Sequence, residues 1–126
     1  MSKRGRIAED YWLELPVPPS VNKKYISRRF VVSKEWRDYK EYVGKYCIEA
    51  GISPISGDVE VRIKWYRERK AGDIDSKIKC LLDGFNGHCY KDDSQITRLV
   101  VLRSDDDKNN PRVVVNVLPY RGGLCR

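Results

Sequence analysis

Hydrophobic residues recur with two different periods along this chain, and the order of these periods is the strongest constraint on its fold. From Val59 to Tyr66 apolar and polar residues alternate, which is the two-residue period of a half-buried strand. A helical spacing of apolar residues instead covers residues 34–50, with Ser33 as a suitable N-cap and Gly51 as a stop signal. We therefore expect strands and helices to alternate.

The other periodic segments complete this order. A second helix is predicted to begin at Asp75 and to end at Gly87. Strands are predicted at Tyr11–Leu15, Phe30–Val32, Ile96–Leu102 and Arg112–Leu118, with the polar stretch Ser104–Pro111 joining the last two as a hairpin. The predicted class is α+β or mixed α/β, with a mostly antiparallel or mixed sheet and two main helices. One domain is expected over residues 1–126, with residues 1–9 flexible.

Charge favours a polyanionic partner. Twenty-five Lys and Arg against eighteen Asp and Glu give a net charge of +7 over 126 residues. Charge alone does not separate DNA, RNA and an anionic membrane. Neither a membrane-spanning stretch nor a signal peptide is predicted, so a cytoplasmic location is expected.

The cysteines and the single histidine offer little chemistry. The four cysteines form no Cys-x-x-Cys pair and only His88 could join them, so a zinc site is not expected. Cys47 and Cys80 fall on helical patterns and are predicted to be core or helix-flank residues. His88 lies in a loop and is a poor candidate for a catalytic base. No phosphate-binding loop or dinucleotide motif is present.

Two pairs of aspartates are the candidates for chemistry. Asp73 and Asp75 precede the second helix, and Asp92 and Asp93 follow it. A helix of about 11 residues would carry its far end about 16 Å from the first pair. The two pairs can therefore meet only if the following loop folds back or the next strand starts beside them. The alternative is that Asp73 or Asp75 is only a helix N-cap and that the other pair are ordinary loop residues.

Converging carboxylates in a basic protein suit phosphodiester cleavage. Such cleavage needs a deprotonated water and a stabilised leaving oxygen, and two divalent ions about 4 Å apart provide both. Mg²⁺ prefers carboxylate oxygen. Lys79, four residues after Asp75, would reach a phosphate or would form a helix-surface ion pair. Asp83 is predicted to be a solvated helix residue and the run Asp105–Asp107 a solvated hairpin loop.

Three blocks of the sequence resemble the RusA family of Holliday-junction resolvases. The central block is GDIDSKIKCLLDGFNGHCYKDDSQI (Gly72–Ile96), with an Asp-x-Asp, a Lys four residues after the second Asp, and an Asp-Asp pair before Gln and an aliphatic residue. The segments LPVPPSVNKKY (Leu15–Tyr25) and VSKEWRDYKEYV (Val32–Val43) resemble the start and the first helix of the family. The blocks occur in the family's order and span most of the chain.

The resemblance implies a Mg²⁺-dependent homodimeric endonuclease, with Mn²⁺ able to substitute, that cuts four-way DNA junctions symmetrically in recombination and repair. It implies a bacterial or phage origin. By position, Asp73, Asp75 and Asp93 become catalytic metal ligands, Asp92 a neighbour that shares the role, and Lys79 the catalytic lysine. Asp93 is preferred to Asp92 as the inward-pointing residue. The DNA-binding residues expected from the two basic loops are Lys23, Lys24, Arg28, Arg29, Arg67, Arg69 and Lys70.

Two other functions compete with this interpretation. A basic DNA-binding module without catalysis would account for the charge but gains nothing from carboxylates aimed at phosphates. A small-molecule metal phosphatase would account for the carboxylates but less well for the basic surplus.

Overall fold

The computed structural model describes residues 10–19, 25–26, 31–32, 34–68 and 77–122. The predicted order of elements is confirmed, with an additional short strand before the one predicted at Phe30–Val32. The elements in chain order are β1 (Tyr11–Leu15), β2 (Tyr25–Ile26), β3 (Val31–Val32), α1 (Lys34–Glu49), β4 (Val59–Tyr66), α2 (Ile78–Gly84), β5 (Ile96–Ser104) and β6 (Arg112–Pro119). No helix in these described ranges has the length and apolar character needed to cross a membrane.

Four strands form one mixed sheet in the order β1-β6-β4-β5, and β2 pairs with β3 in a separate two-stranded ribbon. β4 is antiparallel to β6 and parallel to β5, while β1 is antiparallel to β6. The predicted α+β class with a mixed sheet and two main helices is confirmed. Because β5 is parallel to β4, the chain between them is a crossover that contains α2.

The predicted hairpin between β5 and β6 is wrong, because β4 lies between these two strands. The polar connection after β5 is held beside β4 instead. The amide of Arg67, just after β4, donates to the carbonyl oxygen of Ser104 at 3.0 Å, and the Arg67 guanidinium binds Asp105. Two valine-rich strands that follow one another in sequence give no sign of a third strand inserted between them.

The core lies between one face of the sheet and the two helices. The alternating apolar residues of β4 are all buried, as are the alternating valines of β6, Val113, Val115 and Val117. Trp36, Tyr39 and Val43 of α1 pack onto them and are also buried. The helical and strand periods therefore identified the inward faces correctly.

The two helices approach closely at small residues. A Cβ added to Gly84 of α2 would lie 3.2 Å from Cβ of Val43 in α1, and one added to Gly44 would lie 3.0 Å from Nε2 of His88. Cys47 and Cys80 are buried, as predicted. This packing fixes α2 against α1 and leaves the opposite side of α2 for the candidate site.

α2 is shorter than predicted. It begins at Ile78, with Lys77 as its N-cap, and it ends at Gly84. The predicted start at Asp75 lies outside the described residues, and the helix does not continue to Gly87. The helical pattern overshoots at its C-terminal end because Phe85 is fully buried in the core while the chain turns back at Gly87, which has a φ of +83°.

Candidate active site

The loop after α2 folds back along the helix. Gly87 adopts a positive φ, and its amide donates to the carbonyl oxygen of Tyr90 at 2.7 Å. The Tyr90 side chain is buried, and its hydroxyl donates to the carbonyl oxygen of Leu82 at 2.8 Å. Burial raises the pKa of the Tyr90 phenol, and Cys89, Asp93, Asp83 and Asp92 raise it further. The phenol therefore remains a protonated donor.

A 3-10 turn at Asp93–Gln95 then leads into β5. The Asp92 carboxylate accepts from the Ser94 amide at 3.0 Å, and the Gln95 side-chain oxygen accepts from the amides of Lys91 and Asp92. This is a reciprocal capping arrangement. The Gln95 amide nitrogen also donates to the carbonyl oxygens of Ile55 and Gly57 at 2.8 and 2.7 Å, which ties the turn to the segment before β4.

The two neighbouring aspartates have different surroundings. Asp92 is exposed, and its carboxylate is engaged by Ser94. The hydrogen bonds from Ser94 hold the pKa of the Asp92 carboxyl below its usual value, with smaller contributions from Asp93 and Lys79. The Asp93 side chain is 35% exposed and turns towards α2, where its Oδ2 lies 4.0 Å from Nζ of Lys79. Asp93 is thus the one that approaches the candidate lysine.

Lys79 also contacts a second carboxylate of the candidate site. Its Nζ lies 3.1 Å from Oδ1 of Asp83, one turn further along α2. The Asp83 side chain is only 14% exposed, so the prediction that Asp83 is a solvated helix residue is wrong. The Lys-x-x-x-Asp spacing could have identified this pair from the sequence, since residues four apart share a helix face.

The second basic loop begins with an arginine that is held in place. The Arg67 guanidinium donates to both carboxylate oxygens of Asp105, at 2.7 and 3.3 Å, and its side chain is 13% exposed. The hydrogen bond with Asp105 raises the pKa of Arg67. Asp107 likewise binds Arg112, at 2.9 Å. The run Asp105–Asp107 is therefore not simply a solvated loop, because two of its members anchor arginines.

Several predicted site residues lie outside the described residues, so the structure places neither their side chains nor their distances. They are Lys23, Lys24, Arg28, Arg29, Arg69, Lys70, Asp73 and Asp75. Within the ranges that are described, no group of three His, Cys, Asp or Glu residues forms a metal-binding cluster. The Asp93 carboxylate offers the hard oxygen donors that Mg²⁺ prefers, and a site of the predicted composition needs Asp73 and Asp75 beside it.

His88 packs against α1, with its Nε2 3.0 Å from the position that a Cβ on Gly44 would take. It is half-buried. The structure thus gives His88 a packing role between the helices.

The described part of the site is a lysine and a carboxylate that approach each other on a partly exposed surface of a basic α+β domain. A family profile described as Endodeoxyribonuclease RusA matches residues 16–118, well over half of the chain. The chain belongs to this endodeoxyribonuclease family. None of the curated proteins compared with the chain is similar enough to count as a relative.

Proposed function

We propose that this protein is a divalent-metal-dependent Holliday-junction resolvase that acts in DNA recombination and repair. The observation that carries the proposal is the approach of Lys79 Nζ to Asp93 Oδ2, at 4.0 Å, in a chain of the RusA family. The crossover between β4 and β5 supplies both residues, and the turn at Gly87 brings the loop that carries Asp93 back towards α2.

The proposed metal ligands are Asp73, Asp75 and Asp93, with Asp92 as a neighbour that contributes charge. Their carboxylate oxygens suit Mg²⁺, and Mn²⁺ is expected to substitute. When bound, a divalent ion would lower the pKa of water and neutralise charge on the phosphate. The Asp92 carboxylate accepts a hydrogen bond from the Ser94 amide, whereas the Asp93 carboxylate is directed at α2. These contacts support Asp93 as the main metal ligand of the two.

Lys79 is proposed as the catalytic cation. An ammonium fixed near the scissile phosphate stabilises the negative charge that develops in the transition state. Its side chain is 52% exposed, so a phosphate can approach it. As a helix residue with an exposed stem, Lys79 contributes little to folding.

DNA binding is assigned to the two basic loops. Lys23, Lys24, Arg28 and Arg29 belong to the first, and Arg67, Arg69 and Lys70 belong to the second. Phosphate contacts of this kind give affinity and position without reading sequence. Arg67 lies at the base of the second loop, and its bond to Asp105 supports an anchoring contribution there.

We infer a homodimer, because two symmetric cuts in a four-way junction call for two active sites related by a two-fold axis. The outer face of the sheet is the surface we assign to the dimer interface. Trp12 and Leu102 are 65% and 58% exposed on it, and both line a shallow cavity of about 490 Å³. A mass of one subunit by light scattering at micromolar concentration would contradict the dimer.

The proposed location is the cytoplasm.

The decisive experiment uses the purified protein and a synthetic four-way junction. Cleavage is expected with Mg²⁺ and not with EDTA. Undiminished cleavage in EDTA would remove the metal mechanism. Cleavage of linear duplex as fast as the junction would leave a nuclease and remove the resolvase assignment. Binding without cleavage under any metal condition would favour the non-catalytic DNA-binding module.

A further inference from the structure

The lysine of the candidate site contacts a carboxylate that the proposed mechanism does not use. Lys79 Nζ lies 3.1 Å from Asp83 Oδ1 and 4.0 Å from Asp93 Oδ2. Asp83 is the nearer of the two carboxylates and also the more buried, at 14% against 35% exposure. The position of the ammonium therefore depends on Asp83 as well as on Asp93.

The pair differs from an ordinary helix-surface ion pair. Lys34 and Asp38 have the same spacing in α1 and a shorter distance of 2.6 Å, but their side chains are 80% and 56% exposed. Water competes with such a pair, and its energetic effect is small. The Asp83 carboxylate is largely shielded from water, so its hold on a neighbouring ammonium is stronger. The same shielding limits the directions from which Asp83 accepts a hydrogen bond.

A lysine at a reacting phosphate needs such a restraint. Its four-carbon stem is flexible and has many rotamers, and each reorientation moves the charge away from the phosphate. Asp83 is well placed to reduce this freedom because its own backbone is fixed. The neighbouring Leu82 carbonyl accepts the Tyr90 hydroxyl, and Gly84 packs against Val43 of α1.

We propose that Asp83 is a positioning residue, whose carboxylate holds the ammonium of Lys79 at the face of α2 that Asp93 approaches. The inference rests on the proposed function and assigns to it a residue that acts through Lys79 rather than on DNA or metal. The Lys79 ammonium is nearer to Asp83 than to Asp93, at 3.1 Å against 4.0 Å. The lysine can therefore stay beside Asp93 while the Asp93 oxygens remain available to a metal ion.

The test is a double-mutant cycle on the single-turnover rate of junction cleavage in Mg²⁺. Asp83→Asn should lower the rate by about 10–100-fold, the range found for groups that orient the ligands of a metal site, which we take as the guide for a group that orients Lys79. Asp83→Glu should restore part of it, because the carboxylate is retained. In a Lys79→Ala background, Asp83→Asn should cause no further loss, since coupled residues are not additive.

Further measurements separate this role from others. Junction affinity by gel shift and the Mg²⁺ concentration that gives half-maximal rate should stay at wild-type values in Asp83→Asn. A higher Mg²⁺ requirement would make Asp83 a metal ligand and overturn the inference. Equal losses in the Lys79 and Lys79→Ala backgrounds would make its role purely structural and would also overturn it.

Asp38→Asn is the matched control, because it removes the same kind of i,i+4 pair from α1, and it should cleave at the wild-type rate. Thermal unfolding of each variant checks that it is folded. If the wild-type protein cleaves junctions and Asp83→Asn cleaves equally fast, only the role of Asp83 fails. If the wild-type protein cleaves no branched DNA, the proposed function fails and this inference fails with it.

Discussion

The hydroxyl of Tyr90 donates a hydrogen bond to the carbonyl oxygen of Leu82 at 2.8 Å, and so joins the returning loop to α2. Leu82 is next to Asp83, and Tyr90 is two residues before Asp92. This single bond therefore connects both sides of the candidate site. It also gives a second donor to a carbonyl near the end of a seven-residue helix, which accepts from the Phe85 amide at 3.2 Å as well.

Tyr90→Phe should lower the free energy of unfolding by about 0.5–1.5 kcal/mol, the net value of a hydrogen bond of this kind. It should also slow junction cleavage, because the loop is no longer fixed to α2. Urea unfolding and single-turnover cleavage measure the two effects. Tyr42→Phe, on the exposed surface of α1, is the control and should stay within about 0.5 kcal/mol. Equal stability of the two variants would show that the bond contributes nothing.

Asp93→Asn and Asp92→Asn should differ in their effect on cleavage. Loss of a neighbour of a metal ligand costs about 10–100-fold, so loss of a ligand itself should exceed about 100-fold. We expect that loss for Asp93→Asn. Asp92→Asn should be milder, since an asparagine oxygen still accepts from the Ser94 amide. Single-turnover cleavage rates of both variants over a Mg²⁺ titration test this ranking. A larger loss in Asp92→Asn than in Asp93→Asn would make Asp92 the main metal ligand.

Asp75→Asn should abolish cleavage yet keep junction binding or tighten it, because it removes negative charge from a site that faces phosphates. Lys79→Ala should lower cleavage by roughly 100-fold or more, as does the loss of one transition-state donor, while its circular dichroism spectrum stays unchanged. Gel shift and single-turnover cleavage are the measurements. A folded Asp75→Asn variant that cuts at the wild-type rate would show that this carboxylate is not catalytic.

Salt should weaken junction binding steeply, because neutralised phosphates release counterions. The double variant Arg69→Ala/Lys70→Ala should flatten the log–log salt slope by about 0.9 for each phosphate that it no longer neutralises. Arg67→Ala should change the slope less and lower the melting temperature instead, since its guanidinium is bound to Asp105. An unchanged slope in the double variant would remove this loop from the DNA interface.

The ionisation of Glu60 should make the free energy of unfolding depend on pH. Burial raises its pKa, but the hydrogen bonds and charges of Arg62 and Arg98 lower it by more, so the pKa lies below its usual value of about 4.3. Ionised Glu60 therefore stabilises the fold above that value, and the contribution disappears as pH falls through the lowered pKa. Glu60→Gln should destabilise most at neutral pH and least in acid. Urea unfolding at several pH values tests this, with the exposed Glu41→Gln as control.

Periodicity predicted the elements well, because burial of one face is a local property of the sequence. The alternating residues of β4 and β6 and the helical spacing around Trp36 and Val43 all mark buried faces. Strand partners are not local. Nothing in the valine-rich β5 and β6 specified that β4 would separate them, and the hairpin prediction failed for that reason.

The same difference between local and non-local information applies to the candidate site. The sequence singled out Lys79, Asp92 and Asp93, but their approach depends on the turn at Gly87 and on the Tyr90 hydrogen bond. Asp83 and Gln95 were not recognised as contributors. Both occur in spacings with a physical meaning, a Lys-x-x-x-Asp pair on a helix and an Asp-x-x-Gln cap, and these spacings are the sequence signals for them.

The position of β5 at one end of the four-stranded sheet bears on the solubility of the protein. An edge strand offers unpaired backbone groups to which another chain can add a strand, and charged side chains oppose that addition. Arg98 and Arg103 stand an odd number of residues apart on β5, so their side chains leave opposite faces of the sheet. A second chain would meet a guanidinium on either face, and apolar replacements at both positions would favour aggregation through this edge.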